Sequence, residues 1–291
     1  MERIKEAIQL AREERGGSLD RSKNTMDAPH VFQASERYSR AAQAKMETSN
    51  NSQYLEEKAD IQYSQTKSVD VPPWVLKKNR VVGADIHAPE MADIKLLRTQ
   101  VLQGMTQNNY KTLAVVSATP GEGKTLSAIN LAYSIAMEAH HTALLVDLDL
   151  RNPGVHQYFD YEPDFGIADY FYNDVPLEKI MFSPNSDGLV VLPGRERVEQ
   201  SSELLSSRRL INLVNELKNR YPNRIVLFDL PPLLVSDDVL AFSPYVDSAL
   251  MIVEHAKVKQ KQLQQALELL KGTPVLGSVL NKSGKSKQYQ Y

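Results

Sequence analysis

The sequence predicts an α/β chain: a mostly parallel central sheet flanked by helices, preceded by a flexible N-terminal extension. Three observations predict it. Short continuous apolar runs recur, as at 113–116 and 143–146, at the length of strands buried on both faces. Most of these runs precede or follow a segment of helical period. A loop carrying two glycines, Ser117-Ala118-Thr119-Pro120-Gly121-Glu122-Gly123-Lys124-Thr125, joins one run to the helical segment that begins around Leu126.

Strands are expected at 112–118, 142–148, 188–193, 224–229, 248–253 and 274–280, and helices at 91–105, 125–139, 203–219 and 258–271. In the first of these helices Ile94, Leu97, Val101 and Leu102 form an apolar stripe. Sheets of this kind bind ligands at the carboxyl ends of their strands. Ahead of them, 1–15 reads as a short helix with Ile4, Ala7, Ile8 and Ala11 on one face. The stretch 16–70, rich in Ser, Asn, Gln, Ala and charge, reads mainly as a flexible linker. Val71-Pro72-Pro73-Trp74-Val75 closes it, with Trp74 as the residue that would pin it down. The expected organisation is a helix and linker over 1–80, a nucleotide-binding domain over 81–283 and a flexible tail over 284–291.

A chain of 291 residues suffices for one ample core plus an appendage. With 34 Lys and Arg against 36 Asp and Glu, no global field draws it to nucleic acid or anionic lipid. The absence of cysteine excludes disulfides and thiolate metal sites. The opening Met1-Glu2-Arg3-Ile4-Lys5-Glu6 is not a signal peptide, and no apolar run approaches the roughly 20 residues of a membrane helix. A cytoplasmic location is expected, with membranes reached only through a partner.

The loop at 117–125 is a phosphate-binding loop, so the α/β chain reads as a P-loop NTPase fold. Its glycines let backbone N–H groups curl around a polyphosphate at a helix N-terminus. Pro120, Gly121, Glu122, Gly123, Lys124, Thr125 and Leu126 are the expected nucleotide contacts, Lys124 reaching the terminal phosphates and Thr125 placing its hydroxyl on Mg²⁺. Ala118 stands where the usual pattern has its first glycine, and a small residue suffices there.

Two acidic strand ends follow. The run 144–146 delivers Asp147 to a strand tip, with Asp149 two residues on; both can approach one Mg²⁺, or one can take a proton from an attacking hydroxyl. Arg151 can neutralise phosphate charge in its own subunit or a neighbour's. The bland alternative is that these acids cap a strand and start a turn. The run 225–228 ends in Asp229, placed to hold the magnesium shell or a water, and Pro231 and Pro232 stiffen its exit. Ser236 and Asp237 lie on a switch-like loop or cap the helix starting at Asp238. Asn281 reads a purine edge or forms a turn. His140, His141 and His156 lack the spacing of a metal site, and His156 sits in the loop beyond Arg151.

Chemistry alone leaves an ATP-driven switch, a hydrolase or a kinase open. The form Pro120-Gly121-Glu122-Gly123-Lys124-Thr125, the trio Asp147, Asp149 and Arg151, and Asp229 ahead of two prolines resemble the bacterial tyrosine kinases of capsule and exopolysaccharide synthesis, over roughly 88–291. The opening helix is similar to that of free-standing members from Gram-negative exopolysaccharide clusters. The resemblance implies an ATP- and Mg²⁺-dependent protein-tyrosine autokinase that regulates polymer length and export. It assigns ATP and Mg²⁺ to Lys124 and Thr125, action on the tyrosine hydroxyl and support of the metal to Asp147, and the rest of the metal environment to Asp149 and Asp229. It implies a homo-oligomeric ring in which one subunit phosphorylates its neighbour's tail, here Tyr289 and Tyr291, and an activator in the cytoplasmic tail of a membrane polysaccharide co-polymerase. Other protein substrates are also open. At the family's oligomerisation helix Ala92, Lys95 and Arg98 occupy the positions of a glutamate and two arginines.

The rival readings are a partitioning-type ATPase and a nucleotide-gated assembly factor with little catalysis. The first calls for an early lysine in the loop, and none stands between Ser117 and Glu122.

Overall fold

The computed structural model describes residues 66–82, 88, 90–185 and 188–284. The expected helix at 1–15, the linker as far as residue 65, and the tail tyrosines Tyr289 and Tyr291 lie outside the described residues.

The strands are β1 (Lys67–Val69), β2 (Thr112–Ser117), β3 (Thr142–Asp147), β4 (Phe182–Pro184), β5 (Leu189–Leu192), β6 (Arg224–Asp229), β7 (Ser248–Glu254) and β8 (Val275–Asn281). They form one eight-stranded sheet in the order β1-β4-β5-β3-β6-β2-β7-β8. All neighbours run parallel except β4 and β5. The helices are α1 (Pro73–Lys78), α2 (Met91–Gln107), α3 (Lys124–Ala136), α4 (Ile167–Tyr172), α5 (Leu177–Ile180), α6 (Ser201–Leu205), α7 (Arg208–Asn219), α8 (Asp238–Phe242) and α9 (Gln260–Leu269).

The unbroken apolar runs mean what they should: every residue of β2 and β6 is buried. Alternate side chains feed two separate cores. Ala114, Val116, Leu144, Val146, Val226 and Phe228 pack on one face with Leu210, Leu213, Val214 and Leu217 of α7. Leu113, Val115, Leu145 and Leu227 pack on the other with Ile129, Leu131 and Ile135 of α3 and Val101 and Met105 of α2. The α2 stripe is buried at Val101 and Leu102 as expected, and only half-buried at Ile94 and Leu97. The single helix expected over 203–219 is instead two, because Ser207 takes an extended conformation and its side chain caps α7 by accepting the Leu210 N–H at 3.2 Å.

The largest departure is at the N-terminal edge. Among the described residues sheet and core begin at Lys67, ahead of the expected start at 81. β1 lies parallel to β4, and beyond it the Asn185 side-chain amide donates to the Val71 carbonyl while its oxygen accepts the Val71 N–H at 2.9 Å. Val71, Val75, Leu76 and Val81 are buried in the α2–α3 core. Asn130 of α3 holds the next turn, accepting from Val82 N–H at 2.7 Å and donating to Arg80 O at 3.1 Å. Trp74 is 61% exposed, so it does not anchor this segment; the opposite face of α1 does.

What the topology does for function is set by β6, inserted between β2 and β3. Asp147 and Asp229 pair in register, and Val115 pairs with Asp229 from the other side. The phosphate loop and both aspartate tips therefore emerge side by side. Among the described residues, no helix is long and apolar enough to cross a membrane.

Leu76→Ala should cost about 2–5 kcal/mol of folding stability through the cavity it leaves, whereas Trp74→Ala should stay within about 0.5 kcal/mol. Urea denaturation of the two variants checks the pair; a larger loss at Trp74 would return the anchor to the tryptophan.

Candidate active site

β2 passes into the loop at 118–123, and α3 begins at Lys124. The loop turns on Gly121 and Gly123, at φ +77° and +87°, where an L side chain is strained. The bend leaves the N-terminus of α3 facing the sheet's carboxyl edge, with its first N–H groups free of helical partners. Glu122 does not face that space. Its carboxylate is buried, accepting from the Thr119 backbone N–H, from Thr119 Oγ1 at 2.9 Å and from the Glu254 N–H at 3.1 Å. It braces the loop from within. Leu126, in the first turn of α3, is half-buried against the core below.

The functional charges converge beside this loop. Lys124 Nζ lies 2.6 Å from Asp229 Oδ1, 3.5 Å from Asp149 Oδ2 and 3.3 Å from Thr125 Oγ1. Thr125 Oγ1 donates to the other oxygen of Asp229 at 2.7 Å. Asp147 is fully buried; its Oδ2 accepts the N–H groups of Gly154 and Val155, both at 3.0 Å, and its Oδ1 that of Asp149 at 3.3 Å. Those bonds fix its orientation beneath the turn that follows β3. Gly194 completes the wall, since a Cβ there would come within 3.4 Å of Asp147 Oδ2.

One ammonium thus faces three carboxylates, and protonation follows. Burial drives Asp147 up to about 7, and the Asp229 charge adds to it. Burial also raises Asp149, with Lys124 opposing. Burial pulls Lys124 down, but Asp229 and Asp149 more than offset it and hold the ammonium above its ordinary value.

Arg151 is not part of this cluster. Its Nε and Nη2 lie 3.2 Å from the two oxygens of Asp238, and Nη2 lies 3.3 Å from Asp237. Asp238 is fully buried and also accepts from Ser201 Oγ at 2.8 Å. The expected phosphate partner is here the counter-ion of a buried acid on the 231–238 loop. Asp237 makes no side-chain cap on α8; it joins Arg151 instead. Asn281 lies against the phosphate loop, with Nδ2 donating to Glu122 O at 2.8 Å and Oδ1 accepting the Lys282 N–H at 2.9 Å. Its amide is engaged by backbone. His156 is buried with Nδ1 unpartnered, and burial lowers its pKa.

Sequence reading passed over Asp238, Lys257 and Lys282. None of the three carries a local signal: Asp238 meets Arg151 across 87 residues of sequence, and each lysine sits in an ordinary polar turn.

These residues fit a magnesium–nucleotide ligand. A left-handed glycine loop at a helix N-terminus matches phosphate, and Thr125 with Asp229 pairs a hydroxyl and a carboxylate, the hard oxygens Mg²⁺ takes. Among the described residues no group of three His, Cys, Asp or Glu is spaced to hold a metal.

No family model matches the chain. It is similar to the tyrosine-protein kinase YwqD of Bacillus subtilis, 28% identical over 218 residues, covering 74% of this chain and 91% of the relative. It is 30% identical over 209 residues to the succinoglycan biosynthesis transport protein ExoP of Rhizobium meliloti, covering 70% of this chain and 26% of that longer protein. The crystal structure of the VpsO kinase domain superimposes with a TM-score of 0.61 at 26% identity, over 71% of this chain and 98% of that one. With its phosphate loop, its Lys124–Thr125–Asp229 cluster and the buried Asp147 beside them, the chain belongs to the bacterial tyrosine-kinase family.

Proposed function

We propose that the chain is an ATP-dependent protein-tyrosine autokinase regulating the polymerisation and export of an exopolysaccharide or capsule. The observation that carries this is the convergence of Lys124, Thr125, Asp229 and Asp147 at three adjacent strand ends. The names of the relatives support it: YwqD is a tyrosine-protein kinase, and ExoP is a succinoglycan biosynthesis transport protein.

Bound MgATP supplies the phosphoryl group and a divalent charge that neutralises the oxygens around it. The chain's residues do the rest. The 120–126 backbone cradles the phosphates, Lys124 offers its ammonium to the terminal ones, and Thr125 and Asp229 hold the cation, with Asp149 beside them. Asp147 accepts the proton of the tyrosine hydroxyl. Three N–H donors aim it, and its raised pKa narrows the gap to a phenol near 10. Arg151 contributes by holding the 231–238 loop through Asp238, and Asn281 supports the loop beside the nucleotide.

The acceptors are Tyr289 and Tyr291, phosphorylated between copies of the chain in a homo-oligomer. The activator is the cytoplasmic tail of a membrane co-polymerase, and other proteins can serve as substrates. On α2, Ala92 and Lys95 are exposed, while Arg98 donates to Ser134 O of its own chain at 3.0 Å. An interface there would be built differently from one using a glutamate and two arginines.

Incubation with Mg²⁺ and ATP, with and without the co-polymerase tail, should place phosphate on Tyr289 or Tyr291 by mass spectrometry. Lys124→Met should weaken nucleotide binding and abolish labelling. Asp147→Asn should lower labelling by about a hundredfold or more while nucleotide affinity changes little. A chain that binds ATP but stays unlabelled in both conditions would instead be a nucleotide-gated assembly factor.

Asp147 also sets a pH dependence. Its folded value, about 7, lies above the ordinary 3.8, so the folded chain keeps a proton that the unfolded chain releases. Its contribution to stability is full below the ordinary value and is lost as pH rises through about 7. Urea melts without metal or nucleotide should show Asp147→Asn gaining stability relative to the parent between about pH 4 and pH 8. Parallel pH curves for the two proteins would remove Asp147 as the titrating group.

A further inference from the structure

A loop that turns its N–H groups toward an anion sends its carbonyls the other way, and those carbonyls need donors. Three successive carbonyls of this loop have them. Pro120 O accepts from Lys257 Nζ at 2.9 Å, Gly121 O from Lys282 Nζ at 2.7 Å, and Glu122 O from Asn281 Nδ2 at 2.8 Å. All three donors come from the turn after β7 and the end of β8. Glu254 joins the two lysines, its Oε2 lying 3.0 Å from Lys257 Nζ and 3.2 Å from Lys282 Nζ. The Glu254 N–H in turn donates to Glu122 Oε2, and the His255 N–H donates to Asn281 O at 2.9 Å, closing the frame.

The glycines are fitted to this frame. A Cβ on Gly121 would come 3.2 Å from Lys257 Nζ, and one on Gly123 would come 2.1 Å from Asn281 Nδ2. Neither lysine belongs to the Lys124 cluster: each is tied to a loop carbonyl and to Glu254.

We propose that Glu254, Lys257, Asn281 and Lys282 form a clamp on the back of the phosphate loop that fixes its peptide planes for nucleotide binding. This rests on the loop being the nucleotide site proposed above. The lysines are positioning residues: they hold the 120–122 carbonyls, and through them the orientation of the N–H groups that follow. Asn281 belongs to the same device, engaging the loop rather than a purine. The clamp also connects the loop to the strand pair β7–β8, so the two move together.

The test uses the full chain titrated with MgATP and MgADP by calorimetry, with amide hydrogen exchange of residues 121–124 measured without nucleotide. Lys257→Met and Lys282→Met should each weaken both nucleotides by about three- to tenfold, the double variant by more, and each should speed loop exchange. Lys282→Arg, which keeps a cationic donor, should recover most of the affinity. Circular dichroism melts confirm that the variants fold. If the double variant binds like the parent while Lys124→Met does not, the clamp is wrong and the nucleotide site stands. A loss confined to MgATP with unchanged loop exchange would mean direct contact with the terminal phosphate, and would also overturn the clamp. If the parent chain binds neither nucleotide, the functional reading fails and the clamp falls with it.

Discussion

The buried ion pair between Lys124 and Asp229 is the constraint on which the site depends. Sheet register sets Asp229 opposite Asp147 on the adjoining strand, and Asp149 follows two residues later. Such a concentration of carboxylates with little solvent is strongly unfavourable unless a cation is present or a proton is retained. The structure uses both. Lys124 reaches Asp229 at 2.6 Å and Asp149 at 3.5 Å, while Asp147 keeps its proton to about pH 7. The left-handed glycine before Lys124 starts the helix at the point from which that lysine reaches across.

The remaining charges around the site are matched one to another. Asp238, the buried first residue of α8, takes Arg151, and Glu254 takes Lys257 and Lys282. Among the described residues Asp147 has no ion-pair partner, only backbone N–H donors. Those donors orient the carboxyl without satisfying its charge. That combination suits a group whose task is to take up a proton, and it contrasts with Asp229, whose two oxygens are committed to Lys124 and Thr125.

The parts of this that were legible in the sequence are those written by period and spacing. Strands flanked on both faces read as continuous apolar runs, so the carboxyl tips carrying Asp147 and Asp229 could be placed without a structure. The phosphate loop was legible because its glycines have a stereochemical reason to stand there. What was hidden depends on pairings distant in sequence. β1 is three residues long with two of them polar, and pairing with β4, extended by the Asn185–Val71 exchange, makes it a strand. Trp74 looked like an anchor by size, yet helical phase turns it outward and Val75 and Leu76 inward. Arg151 pairs with Asp238 across 87 residues of sequence, so spacing alone leaves the arginine free for a phosphate. The Glu122 carboxylate is consumed internally by Thr119 and Glu254, which spacing does not reveal, and only its backbone is left facing a phosphate.

The charge count also explains why metal and nucleotide belong together in such a site. Lys124 cannot leave Asp229 for a phosphate without stranding a buried carboxylate, a change that is costly in a water-poor pocket. A divalent cation held by Thr125 and Asp229 would replace the charge that Lys124 withdraws, freeing the ammonium for the phosphates. The protein oxygens alone do not complete a metal shell, and the phosphates alone would not compensate Asp229. In the proposed site each component would supply what the other's binding removes, which would couple their affinities through a single side chain, Lys124. The fold's contribution is to hold that side chain within reach of both partners while the loop beneath it keeps its shape.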